Sequence, residues 1–268
     1  MISINTNYGS LFATKSAGAA QKTMNTAMER LSSGLRINNA KDDAAGQGIA
    51  TRLSAEIMGL EMASRNASDA QSMMDTAEAA YQEVHSMLIR MREIAVQAAN
   101  GTLSTADRTA LNAEVTALET EITSIADNTA FAGVNLGTST AVTFQIGTGN
   151  GDTISHTFKD FDNAAISVDV GVNTATNAGA AVSTLDAAIS LISTRRGELG
   201  ALSNRLSSTI ANLDNIAVNL SSARGRIQDT DFATETSNLA KSQIMQQAAT
   251  AMLAQANASK QTVLALIQ

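Results

Sequence analysis

The sequence predicts a mainly α protein, an elongated antiparallel helical rod or coiled coil formed by its N- and C-terminal segments with a small β-hairpin inserted between them. Three observations carry this. First, a seven-residue apolar ladder occurs on both sides of the chain's midpoint: Leu53, Leu60, Ala67, Met74, Tyr81, Leu88 and Ala95, then Leu185, Ile192, Leu199, Leu206, Leu213, Leu220 and Ile227. A period of seven keeps a narrow apolar seam on one side of a helix, which suits long helices packed side by side. Second, there is no proline in 268 residues, and a proline inside a helix costs about 3 kcal/mol. Third, helical periodicity lapses only between Ala130 and Gly179, where Gly, Thr and Asn crowd together.

The elements follow in order. Residues 1–40 mix Ser, Asn, Ala and Gly with scattered apolar positions such as Leu11 and Phe12. Helix is expected from about Leu11, although such a segment is poorly stabilised alone. A long helix is expected to start near Lys41–Asp43, where acids favour a first turn, and to stop at Asn100-Gly101. At 1.5 Å per residue it spans roughly 85 Å. Ser104 with Asp107 three residues later marks the next helix start, and Leu111, Val115, Leu118, Ile122 and Ile125 form its seam. The short link before it implies an antiparallel return.

Val142, Phe144 and Ile146 alternate with polar residues, as do Ile154, His156 and Phe158, around the turn-forming run Gly147–Asp152. A β-hairpin is expected there, with a further short strand through Ile166, Val168 and Val170. Helix resumes near Ala180 and continues to about Ile227. From Ser237 a last seam runs through Met245, Ala249, Met252, Ala256, Ser259, Val263 and Leu266. The expected domains are therefore residues 1–40 with 230–268, a terminal coiled coil, and residues 41–179 with 180–229, a rod with a β insertion at about 131–170. Leu53, Leu60, Met74, Leu88, Leu118, Ile122, Leu199, Leu206 and Leu213 are its expected core.

Composition narrows the function classes. Aromatics are only 3% and cysteine is absent, so alanine and aliphatics do the packing and there is no thiolate chemistry. Residues 1–28 carry only Lys15 and Lys22, and residues 239–268 only Lys241 and Lys260. All 25 acids lie between, which argues against nucleic acid as a partner. The charge-poor ends look suited to burial. No run reaches the roughly 18 apolar residues a membrane span needs, and Met1–Thr14 lacks the pattern of a secretory signal peptide.

Particular segments carry a resemblance. Arg30 to Ala50, RLSSGLRINNAKDDAAGQGIA, closely resembles the N-terminal hallmark of bacterial flagellins, and Ala223 to Gln268 resembles their C-terminal hallmark. With LIRMREIAVQAAN at Leu88–Asn100, the likeness covers about residues 1–135 and 180–268. It implies a filament subunit with inner domains and almost no outer decoration, whose terminal segments line the filament lumen. It implies that the chain itself is the main partner, polymerising head to tail into an extracellular flagellar filament. Further partners so implied are an export chaperone, the filament cap and hook–filament junction proteins. Export through a dedicated channel, without a cleaved signal peptide, comes from the same resemblance.

The resemblance also marks Arg90, Glu93, Ile94, Gln97 and Glu114, which match positions of filament contact and of recognition by the flagellin-sensing Toll-like receptor of animals. Ile94 departs from the usual leucine. Many flagellins carry a proline in the last dozen residues, where this chain has Ser259-Lys260-Gln261, and Gln47-Gly48 adds a glycine near the start of the long helix.

No enzyme, cofactor or metal site is expected. The histidines are His85 and His156, and Glu83-Val84-His85 lacks the second histidine of a zinc protease helix. Gly147–Asp152 is not followed by the helix of a phosphate loop. Three other readings stay open beside the filament subunit. They are a hook–filament junction protein, a monomeric secreted adhesin or immune ligand, and a cytoplasmic coiled-coil oligomer. The terminal seam Met245, Ala249, Met252, Ala256, Val263 and Leu266 is the expected assembly surface.

Overall fold

The computed structural model describes residues 6–265, with side chains through Gln261. Five helices and two short antiparallel strand pairs follow the order α1 (Tyr8–Ser33), α2 (Ala44–Ala98), α3 (Thr105–Asn128), β1 (Ala130–Phe131), β2 (Val134–Asn135), β3 (Ala141–Gln145), β4 (Thr153–Thr157), α4 (Ala175–Gln228) and α5 (Phe232–Ala265). The fold is mainly α with a small β insertion. Contacts divide the chain into two units, residues 1–55 with 219–268 and residues 56–218. The joins fall near 55 and 219, deeper into the long helices than the glycine and aspartate signals near 40 and 230 suggest.

Local chemistry sets the helix ends. Gly34 adopts φ 74° and donates its N–H to Arg30 O at 2.8 Å, closing α1 with a left-handed cap that favours glycine. Asp43 Oδ1 accepts from Gly46 N–H at 2.8 Å at the start of α2. Ser104 and Asp107 form a reciprocal capping box on α3. Asp231 Oδ1 accepts from the Ala233 and Thr234 amides and opens α5. Hydrogen bonds from Thr234 and Ala233 hold the Asp231 carboxyl below its ordinary range. α5 runs through Ser259-Lys260-Gln261 without a break.

In the first unit α1 and α5 lie antiparallel. Asn7 Nδ2 donates to Ala256 O at 3.1 Å, Gln246 Nε2 donates to Gln21 Oε1, and Arg30 pairs with Glu235 at 3.7 Å. The α1 face toward this pairing carries Ala13, Ala20 and Ala27, seven apart and buried, and α5 buries Glu235, Ser242 and Ala249. Small residues allow close approach: a Cβ on Gly9 would come within 3.3 Å of Ala256 Cβ. The linker after α1 is stitched to the end of α4 by Arg36 N–H to Gln228 O at 2.6 Å and Thr230 N–H to Gly34 O at 2.9 Å. The segments around Arg36 and Gln228, which carry the resemblance, are thus hydrogen-bonded to each other.

In the second unit α2 and α4 run antiparallel, tied by Arg196–Glu78 at 2.8 Å, Arg92–Asp186 at 2.5 Å and Ser64 Oγ to Asp214 Oδ1 at 3.0 Å. α3 returns along α2 through Arg108 Nε to Ala98 O at 2.9 Å. The shared core holds Met74, Tyr81, Leu88, Met91, Ile122, Leu185, Ile192, Leu199 and Leu206. The β insertion closes one side with Leu136, Ile154, Phe158 and Phe161. The Tyr81 ring packs tilted at 53° against Phe161, centroids 4.7 Å apart, and its hydroxyl donates to Lys159 O at 2.7 Å.

The β insertion departs from the sequence reading in two places. β3 and β4 pair as a hairpin, Phe144 opposite Ile154 and Val142 opposite His156. The strand expected through Ile166, Val168 and Val170 does not form. Residues 162–168 fold into turns, with Ser167 at φ 55°, and two amides farther on are held by α3 side chains. Val170 N–H donates to Glu119 Oε1 at 2.9 Å and Val172 N–H to Asn112 Oδ1 at 2.8 Å. The alternation buries Ile166, Val168 and Val172 all the same, because two side chains seven apart on α3 satisfy the backbone where a neighbouring strand otherwise would.

The second departure is the pair β1–β2, whose two-residue turn places Ala132 at φ 50° and Gly133 at φ 85°. Two positive φ values are what a tight hairpin turn requires. Alanine in the first position gives no sequence signal for it. Gly137 follows, where a Cβ would stand 2.0 Å from Ala126 O, so only glycine lets the chain pass.

Candidate assembly surface

The α1–α5 pair is amphipathic twice over. Its internal seam is alanine on α1 and Glu235, Ser242 and Ala249 on α5, and its outward faces carry the large apolar side chains. Tyr8, Leu11, Phe12 and Met28 on α1 are exposed, as are Ile244, Met245 and Met252 on α5. Phe12 is 74% and Met252 63% accessible. Helical geometry explains the division. Ala13, Ala20 and Ala27 occupy one edge of the α1 stripe, and their neighbours toward the N-terminus, Phe12 among them, fall on the next edge.

The expected terminal seam splits along the same line. Ala249 is buried and Ala256 half-buried against α1, whereas Met245 and Met252 face outward. Val263 and Leu266 fall outside the residues whose side chains are described. Between the two helices lies a groove of 360 Å³, lined by Gly9, Phe12, Ala13, Met245, Ala249 and Met252 among others. Its lining is almost wholly apolar, so a second apolar helix face is the kind of surface that fits it. Leu11, Phe12 and Ile244 were not on the expected seam. Their exposure follows from which stripe the alanines occupy, which a single helix's periodicity does not reveal.

The expected core residues sit as follows. Leu60, Met74, Leu88, Ile122, Leu199, Leu206 and Leu213 are buried, and Leu53 and Leu118 are half-buried.

A second cluster lies on α2 and α3. Arg90 donates through Nε and Nη2 to Glu114 Oε1, at 3.0 and 2.8 Å, and through Nη1 to Glu93 Oε2 at 3.1 Å. These hydrogen bonds, to Glu114 first and then to Glu93, hold the Arg90 guanidinium charged more firmly than usual. Arg90, Glu93, Gln97 and Glu114 are all exposed. Ile94 is not part of this surface. At 1% accessibility it belongs to the core beneath, because its place on the helix, three residues after Met91 and three before the exposed Gln97, turns it toward the seam.

Two further polar groups are shifted by burial. Burial raises the Glu119 carboxyl above its ordinary range, opposed by the Val170 amide. Burial lowers the His156 imidazole, which meets the Phe158 ring edge-on at 5.0 Å. Among the described residues no group of three metal-binding side chains occurs, and no helix is long and apolar enough to cross a membrane.

Known proteins carry the same pattern. The bacterial flagellin N-terminal helical region matches residues 4–139 and the C-terminal helical region matches residues 182–267. The flagellin of Halalkalibacterium halodurans is 43% identical over 270 residues, covering 99% of each chain. The flagellar filament 33 kDa core protein of Treponema phagedenis is 38% identical over 284 residues, again covering 99% of each. The crystal structure of Bacillus cereus flagellin aligns with a TM-score of 0.51 at 31% identity, over 60% of this chain and 94% of that one. A putative flagellar hook-associated protein from Vibrio parahaemolyticus shares the fold, at 16% identity and a TM-score of 0.60, over 70% of this chain and all of that one.

Proposed function

The chain belongs to the bacterial flagellin family and is a structural subunit of the flagellar filament, and we propose that the α1–α5 pair is its polymerising element, completed only by neighbouring subunits. The observation that carries this is the placement of Phe12, Met245 and Met252 on the outside of a pair whose inside holds only small or polar side chains, Ala13, Ala20 and Ala27 against Glu235, Ser242 and Ala249. Alanine buries little area, so the pair gains little from its own seam at about 25 cal/mol per Å². Isolated helices are marginal in water. Ordering of α1 and α5 on assembly follows, with the cost of ordering met as neighbours cover the apolar faces.

Head-to-tail contact without ring closure then builds a helical polymer, which serves swimming outside the cell. Removing residues 239–268 is expected to leave a soluble chain that neither elongates filament seeds nor forms filaments under salting-out conditions, as seen by electron microscopy. Filaments formed by that truncation overturn the reading. Full-length chains that add one layer to a seed and stop point to a junction protein.

The finer partners follow from the same reading. A chaperone that keeps the unpolymerised chain from aggregating would have to cover the exposed apolar side chains of α1 and α5, such as Phe12, Ile244 and Met252. The cap and junction proteins meet the same terminal faces at the two filament ends. Export without a cleaved leader suits a chain free of cysteine. The exposed Arg90–Glu93–Glu114 cluster supports recognition of the monomer by the flagellin-sensing receptor of animals, with Gln97 beside it and Ile94 contributing only through the core. Arg90→Ala that signals normally in a receptor reporter assay removes that reading.

A further inference from the structure

The chain has two Asn-Gly steps outside its helices, Asn100-Gly101 after α2 and Asn150-Gly151 at the tip of the β3–β4 hairpin. They are held very differently. Asn100 donates its N–H to Gln97 O at 3.1 Å, and its carbonyl accepts from Arg108 Nη2 at 2.9 Å and from Leu103 N–H at 3.3 Å. Its side-chain Oδ1 accepts from Thr102 N–H at 3.2 Å. Both the backbone and the carboxamide of Asn100 are therefore pinned.

In the hairpin the backbone is tied around the tip, Asp152 N–H donating to Gly149 O at 3.3 Å and Thr153 N–H to Gly151 O at 2.8 Å, and side chains add to this. Gln145 Nε2 donates to Gly147 O and Gly149 O, both at 2.8 Å, and Asp152 Oδ2 accepts from Gly149 N–H at 2.9 Å. The carboxamide of Asn150 and the N–H of Gly151 make no hydrogen bond among the described residues. Both residues are exposed, and, as at Gly101, nothing beyond the chain neighbours lies within 4 Å of where a Gly151 Cβ would stand, so the two sites differ in their hydrogen bonds and not in their openness.

The geometry points to Asn150 as a site of spontaneous covalent modification, deamidation through a succinimide. The Gly151 amide nitrogen loses its proton to hydroxide and attacks Asn150 Cγ, forming a Cγ–N bond. The Cγ–Nδ2 bond breaks and ammonia leaves. Water then opens the five-membered ring at either carbonyl, giving aspartate or isoaspartate. The missing Cβ on Gly151 leaves the approach open, and the unbonded groups let the side chain turn toward the backbone nitrogen. Each event places a new carboxylate in the loop that already holds Asp152. The isoaspartate form also lengthens the backbone within the turn closed by Ile146 N–H to Asp152 O. In a secreted polymer whose subunits stay in place (a consequence that rests on the filament reading) the charge accumulates with filament age.

The test needs only the purified full-length chain. It is incubated in warm, mildly alkaline buffer, digested, and mapped by mass spectrometry with fragmentation that separates aspartate from isoaspartate. The expected result is a mixture of both forms at position 150, appearing several times faster than at position 100. Asn150→Gln is expected to abolish the product there, since the longer side chain closes the ring far more slowly. In concentrated urea the two rates should converge. Conversion at Asn100 first, aspartate without isoaspartate at 150, or an unchanged rate ratio in urea would each overturn the assignment. None of these outcomes depends on whether the chain polymerises.

Discussion

The two units use one period for opposite ends. In residues 56–218 the seven-residue ladder carries Leu60, Met74, Tyr81, Leu88, Leu199 and Leu206, all turned inward and buried. In the α1–α5 pair the buried ladder is Ala13, Ala20 and Ala27, and the large side chains Phe12, Met245 and Met252 are turned outward. The first arrangement buries its ladder of large side chains within its own chain. The second leaves its apolar surface to be covered by something else. Periodicity therefore tells that helices pack, and the size of the residues on the seam tells whether the packing is complete within one chain.

The comparison breaks most visibly if the units respond alike. Loss of residues 239–268 should abolish polymerisation while the main thermal transition, attributed to residues 56–218, stays where it was. A large downward shift in that transition would mean the units are not energetically separate. Leu88→Ala in the second unit should destabilise by about 2–5 kcal/mol, since a buried leucine leaves a cavity there. This is read as a lower midpoint in denaturant with an unchanged slope. The paired replacement Met245→Ser and Met252→Ser should leave that midpoint nearly untouched and yet stop seed elongation. If it lowers the midpoint as Leu88→Ala does, the outward face is not free.

Tyr81 sharpens the comparison by pH. Burial pushes its hydroxyl up to about 12 from an ordinary value of 10.0. The folded chain then keeps a proton that the unfolded chain releases, so stability falls as pH rises through this window, by at most ~3 kcal/mol. Tyr81→Phe should remove that alkaline slope from the urea-unfolding free energy. A slope that persists in the variant belongs to other groups.

The smallest effects concern the α3 clasp. Asn112→Ala leaves the Val172 N–H without its acceptor and should cost about 1–3 kcal/mol. Glu119 adds a dependence of opposite location on the pH scale. Its raised pKa means the folded state holds a proton more readily, so its contribution is most favourable below the ordinary carboxylate value and is lost as pH rises through the folded pKa. Glu119→Gln should flatten that acid-side slope in the same unfolding experiment.

Much of this architecture was legible beforehand. The long seams of α2 and α4, the Ser104–Asp107 cap and the β3–β4 hairpin each rest on chemistry within a few residues of one another, so the sequence alone specifies them. The hallmark segments at Arg30–Ala50 and Ala223–Gln268 likewise marked the family before any contact was known. Three features needed the folded chain. The segment from Ile166 to Val172 has strand-like alternation, but whether its amides meet a strand or the side chains of Glu119 and Asn112 depends on residues 51 and 60 positions away. Ala132 enters a left-handed turn only because β1 and β2 must pair beside the close pass of Gly137 and Ala126. The terminal seam divides into inward alanines and outward methionines because α1 lies antiparallel to α5 in one register, and a helix's own period does not say which edge of its stripe a partner will cover.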